Sequence, residues 1–353
     1  MFVPVKSKSG KKLMPTHPNK AGMLIKKGLA TPYWSNGIFC IRLNYETTDY
    51  TQDIVVGVDP GSKKEGLTVK SESRTYLNVQ ADAHDFVGNK RNKKGEITKL
   101  GKIGKRSQNR RSRRCRKCPN RKQKHHNLSH RNRIPAGTRA RWDWKLRILE
   151  WLSKLYPVTH VCVEDIRART IERARQWNES FSPLQVGKEW FYSEVRKRWQ
   201  LLTLQGWETK EIRDRLGLKK SSKKLSETFD AHCVDSWCLA YHAVGGNGTP
   251  DNTDIFCIAP INTQRRCLHR EQESKGGKRN RYGGTVLGNC LVKNTLIKHV
   301  KYGLTRLAGV NEKGLFSIYS LENKRLTTGA KRSDFSVLTR LNFYYRSGHS
   351  SQA

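Results

Sequence analysis

Three acidic residues stand where carboxylates can do chemistry. Asp59 closes the apolar run IVVGVD and is followed by Pro60-Gly61, so its side chain sits where a strand opens into a loop. Glu164 closes a second apolar run, VTHVCVE. Asp235 lies in FDAHCVDSW, three residues after His232, and on one continuous helix the two share a face. Taken singly these positions are ordinary: an acid after a strand is usually a turn residue, and a His–Asp pair at that spacing is usually a surface contact. Acids delivered by two buried strands and a helix, however, can converge at one edge of a sheet. There they could hold two divalent ions roughly 3.5–4 Å apart, the arrangement for in-line phosphodiester hydrolysis. Hard oxygen ligands suit Mg2+. His232 would accept a proton from the attacking water or help to place a metal.

The elements needed to bring these residues together can be read along the chain. From Asp53, DIVVGVDPGSKKEGLTVKSESRTYLNVQAD reads as three strands, with turns at Pro60-Gly61 and Ser71–Ser73, forming an antiparallel meander. RARWDWKLRILEWLSKLYP is a helix with Trp144, Ile148, Trp151, Leu152 and Leu155 on one face, stopped by Pro157. VTHVCVED is a short buried strand. Residues 165–228 read as helical and polar, with Trp190, Phe191, Val195, Trp199 and Leu202 as a packing stripe. ETFDAHCVDSWCLAYHAVGG reads as one amphipathic helix ended by Gly245 and Gly246, and IFCIAP as a further strand. Residues 1–50 form their own unit: a strand FVPV, a turn-rich KSGKKLMPTHPNK, a helix AGMLIKKGLA and a strand GIFCIRLNY. Beyond about residue 260 the pattern is strand and turn. The predicted class is α/β, in the meander–helix–strand–helix order that an RNase H-like sheet requires.

Charge narrows the function. The 353 residues carry 69 Lys and Arg against 30 Asp and Glu, a net charge of +39. Such a chain repels itself unless a polyanion neutralises it, and released counterions then drive binding. Residues 97–142 hold 17 Lys or Arg and no acid. Within them Cys115-x2-Cys118, with His125, His126 and His130, is half of a zinc pattern, but the six-residue gap to His125 is shorter than the finger spacing of about twelve, which argues against zinc. No apolar run approaches the roughly 18 residues of a spanning helix. The N-terminus lacks an apolar signal region, and the nine cysteines do not form a disulfide pattern, so a cytoplasmic, nucleoid-associated protein of a prokaryote is expected.

The residues also resemble a known family. VGVDPGSK, VCVED and FDAHCVDSW are similar to the three split segments of a RuvC-type nuclease, and RRSRR at 110–114 matches an RR-x-RR signature. KLMPTHPNKAGMLIKKGLA resembles a PLMP domain, with Lys12 where that motif has Pro. Together they resemble the IscB and IsrB family of transposon-encoded, RNA-guided nucleases. IscB carries an HNH nuclease between its second and third RuvC segments. Residues 165–231 contain neither His nor Cys, so the chain is similar to the IsrB branch, which lacks that domain.

The resemblance implies a PLMP domain over 1–52, RuvC segments over 53–90, 141–170 and 227–260, and an Arg-rich bridge helix region over 91–140. A helical linker would replace the HNH domain over 171–226, and a β-rich domain over 261–353 would contact guide RNA and target-flanking DNA. It makes Asp59, Glu164 and Asp235 metal ligands, His232 the activator of water, and two Mg2+ ions the cofactors. It places Arg106, Arg110, Arg111, Arg113, Arg114, Arg116, Lys117 and Arg121 on a guide (omega) RNA, with Arg265, Arg266 and Arg270 as further nucleic-acid contacts. One protein per RNA would then nick the displaced strand of a duplex target beside a short flanking motif. Two other readings stay open: a catalytically silent nucleic-acid binder, and a guide-free, structure-specific RuvC-type nuclease.

Overall fold

The computed structural model describes residues 2–109, 134–165, 183–261, 291–339 and 343–347, apart from 49, 62, 86, 93, 95, 103, 224, 225, 312 and 323. At the N-terminus β1 (Val3–Lys6), β2 (Lys12–Thr16), α1 (Pro18–Lys26), β3 (Ala30–Ser35) and β4 (Ile38–Leu43) form a four-stranded sheet in the order β2-β1-β4-β3. Its core is Val3, Val5, Leu13, Ala21, Ala30, Ile41 and Leu43. The turn-rich stretch of the sequence reading thus contains a strand, because Leu13 pairs with Val5 and is drawn into that core. β3 was likewise not evident in the pattern. It is an edge strand holding Pro32, and it is joined to β4 by Asn36 and Gly37 at φ 49 and 90, the left-handed pair that a tight hairpin needs.

The large sheet is built from β5 (Ile54–Asp59), β6 (Lys64–Lys70) and β7 (Thr75–Asp82), an antiparallel meander as the turn signals predict. A small hairpin, β8 (Lys90–Arg91) and β9 (Ile97–Lys99), follows, and then α2 (Ala136–Leu152). Next come β10 (Val158–Glu164), α3 (Pro183–Arg196), β11 (Gln200–Leu204), α4 (Gly206–Arg215), α5 (Phe229–His232), α6 (Val234–Val244) and β12 (Ile255–Pro260). β10 runs parallel to β5 and β11 parallel to β10, giving the order β7-β6-β5-β10-β11. Numbered from β5, that is 3-2-1-4-5 with helices between strands three, four and five, so the fold is RNase H-like. β12 adds a parallel strand beside β7.

Two further elements, in the large sheet and its helices, differ from the sequence reading. β11 lies inside the stretch read as wholly helical; QLLTL is too short to declare itself, and its pairing with β10 from His160↔Gln200 to Glu164↔Leu204 makes it a strand. The single helix expected over FDAHCVDSW is broken at Cys233 into α5 and α6, so His232 and Asp235 do not share one helical face. The helices pack so closely on the sheet that only glycine fits beneath them. A Cβ on Gly57 of β5 would lie 1.9 Å from the Ser236 carbonyl oxygen, and one on Gly66 of β6 would lie 1.8 Å from that of His232. Val55, Cys162, Cys233, Trp237, Cys238 and Cys257 fill the core on this face. The five described cysteines are buried and form no disulfide, behaving as small apolar residues. The opposite face is marked by the buried Lys145–Glu65 ion pair, 2.8 Å, which joins α2 to β6.

A second unit, residues 259–344, contains a five-stranded antiparallel sheet in the order β16-β15-β14-β13-β17. Its strands are β13 (Leu296–His299), β14 (Gly303–Val310), β15 (Phe316–Tyr319), β16 (Arg325–Ala330) and β17 (Phe335–Thr339). Leu291, Ile297, Leu307, Phe316, Ile318 and Phe335 form its core. The final strand, β18 (Phe343–Ser347), lies beside β12 in the large sheet. Among the described residues no helix is long and apolar enough to cross a membrane.

Candidate functional site

Asp59 and Glu164 end adjacent parallel strands whose register pairs Val58 with Val163. Side chains alternate across a strand, so Gly57, Asp59, Cys162 and Glu164 all lie on the face that α6 covers. The two carboxyl groups come close enough for each to influence the ionisation of the other. Burial, and then the negative charge of Glu164, pushes the Asp59 carboxyl up to about 8. Burial, and then the charge of Asp235, also raises Glu164. Like charges crowded in a poorly solvated corner hold protons in place of ionising fully.

Asp235, in the first turn of α6, is almost fully buried. Arg213 of α4 donates to its Oδ1 at 2.7 Å, and the Lys220 ammonium donates to its Oδ2. Lys220 is also paired with Asp59, 3.9 Å away. The three acids are thus gathered at one rim of the sheet, Asp59 and Glu164 directly and Asp235 through Lys220. As they stand, no three Asp, Glu, His or Cys side chains among the described residues are spaced to hold a metal ion. The donor set nevertheless suits a hard divalent cation: carboxylate oxygens from three elements, repelling one another, with an ammonium already drawn between two of them.

His232 stands at the end of α5, with its carbonyl against Gly66, the ladder partner of Asp59. Glu164 is crowded from the other side by the N-terminus of α4, where a Cβ on Gly206 would lie 3.1 Å from its Oε1. Arg213, Lys220 and Gly206 were not singled out in the sequence. The two cations are single members of a long polar stretch, and only the packing of α4 against α6 brings them to Asp235. Gly206, between an apolar run and a helical pattern, was the one readable signal.

Arg106 is exposed in a helical stretch over residues 104–109, at the start of the Arg-rich segment. Burial, and then the Arg106 charge, lowers the pKa of the neighbouring Lys102. Arg110, Arg111, Arg113, Arg114, Arg116, Lys117 and Arg121 lie outside the described residues. So do Cys115, Cys118 and the histidines near them, and Arg265, Arg266 and Arg270.

No curated relative matches the chain. Similar solved structures include T. thermophilus RuvC in complex with Holliday junction substrate, at 14% identity over 55% of this chain and 97% of that chain, with a TM-score of 0.26. Thermus thermophilus RuvC in another structure is 15% identical over 54% and 96%, with a TM-score of 0.24. The yeast mitochondrial Holliday junction resolvase Ydc2 is 14% identical over 50% and 59%, with a TM-score of 0.20. The RNase H-like assignment rests on the strand order of the sheet. Residues 3–177, just under half of the chain, match the family described as RRXRR protein.

Proposed function

We propose that this chain is an RNA-guided endonuclease that nicks the displaced strand of a DNA target with Asp59, Glu164 and Asp235 as the ligands of Mg2+. The observation that carries this reading is the gathering of the three acids at one rim of an RNase H-like sheet, in a chain of net charge +39. Magnesium held there would polarise a phosphate oxygen and lower the pKa of a bound water. His232, beside the ladder partner of Asp59, is the residue to take a proton from that water. The Arg-rich segment from Arg106 onward would grip the guide, because the guanidinium fork binds phosphate through two parallel hydrogen bonds. Sequence would be read by base pairing, with the protein holding the heteroduplex through its backbone. The β-rich unit would contact the RNA and the duplex beside the target.

The test is nicking of a supercoiled plasmid by the full chain purified with its RNA, compared with Asp59→Ala. Loss of nicking in the variant is expected. Equal nicking by both proteins refutes the site, and full activity after complete RNA removal refutes the guide.

A further inference from the structure

Beyond the three acids, the rim holds two cations from one stretch of chain, and they differ in how firmly they are held. Arg213 projects from α4, whose Ile212 is buried in the core beside α6, and its side chain is only 16% exposed. Lys220 follows in the loop after that helix, and its side chain is 39% exposed. The loop itself is anchored. Gly217 turns the chain at φ 66, the Leu218 N–H donates to the Arg213 carbonyl, Leu218 packs on the core, and the Ser221 N–H donates to the Asp230 carbonyl at 2.9 Å. The backbone therefore delivers Lys220 to the rim, while its flexible stem leaves the ammonium free to withdraw into solvent. Between them the two cations occupy both oxygens of Asp235, and Lys220 alone spans Asp59 and Asp235.

We propose that Lys220 is an internal counter-cation, lying between Asp59 and Asp235 until a divalent ion displaces it, and that Arg213 is a positioning residue that keeps Asp235 aimed at the rim. The inference rests on the metal site proposed above. Lys220 lowers the repulsion among the acids in the metal-free chain and competes with the ion that would replace it. Arg213 stays in place throughout, because withdrawing it would leave a buried charge unpaired.

The experiment is Mn2+ titration by calorimetry on the full chain, freed of nucleic acid at high salt, with thermal unfolding in chelator and in excess Mn2+. Lys220→Met is expected to bind Mn2+ roughly tenfold tighter. It should melt lower than wild type in chelator and recover in metal. Lys220→Arg should retain the wild-type affinity, and Arg213→Met should bind roughly tenfold more weakly. Unchanged or weaker binding by Lys220→Met, in a protein where Asp59→Asn abolishes binding, overturns the counter-cation while leaving the metal site intact. Identical Mn2+ binding by wild type and Asp59→Asn overturns the metal site itself, and the counter-cation with it.

Discussion

Replacing Asp59 by Asn should remove a pH-dependent loss of stability from the metal-free protein. The Asp59 carboxyl is moved from an ordinary 3.8 to about 8 by burial and by the Glu164 charge, so the folded chain keeps a proton that the unfolded chain gives up. Raising the pH from about 4 drains only the unfolded state. The stability tied to this proton is therefore complete below about 4 and is lost as the pH rises through about 8. A shift of about four units at 1.36 kcal/mol each sets a ceiling of roughly 5 kcal/mol. Asp59 and Glu164 oppose each other's ionisation and Lys220 offsets part of their repulsion, so roughly half of that ceiling is expected. Asparagine has nearly the same shape and does not titrate over this range. The measurement is urea unfolding of both proteins in chelator at several pH values between 5 and 8. The difference between them should shift in favour of the variant by about 2–3 kcal/mol across that range. A pH-independent difference would show that the folded chain holds no extra proton at Asp59 and would remove the electrostatic argument for a metal at this rim.

Three further outcomes are expected. Gly57→Ala forces α6 off β5, because the new Cβ meets backbone at 1.9 Å; chemical denaturation should show a loss of about 3 kcal/mol or more, with a fall in metal affinity as Asp235 moves. Lys145→Met strands the Glu65 carboxylate, whose pKa burial already raises despite the lysine; a loss of about 3–5 kcal/mol is expected at neutral pH, and a smaller loss in acid, where Glu65 is protonated. Nucleic-acid affinity measured by filter binding should fall by roughly a thousandfold between 50 and 200 mM salt, and a flat response would contradict phosphate neutralisation as the source of binding.

The sequence by itself determined the elements whose signals are local. The apolar runs of β5 and β10, the turn pairs of the meander and the Gly245 stop of α6 are patterns of neighbouring residues, and they marked Asp59, Glu164 and Asp235 as strand-end or helix acids. The +39 charge likewise needs no fold to imply a polyanionic partner. Tertiary structure decided what depends on distant chain. QLLTL became a strand because β10 was there to pair with it, and the helix around His232 broke where its carbonyl meets Gly66 of β6. Lys220 and Arg213 reached Asp235 because α4 packs on α6, and nothing in a lysine-rich stretch distinguishes one lysine from the next. Local backbone preference can be read from a few adjacent residues, whereas the partners of a carboxylate are set by non-local packing that no short window contains.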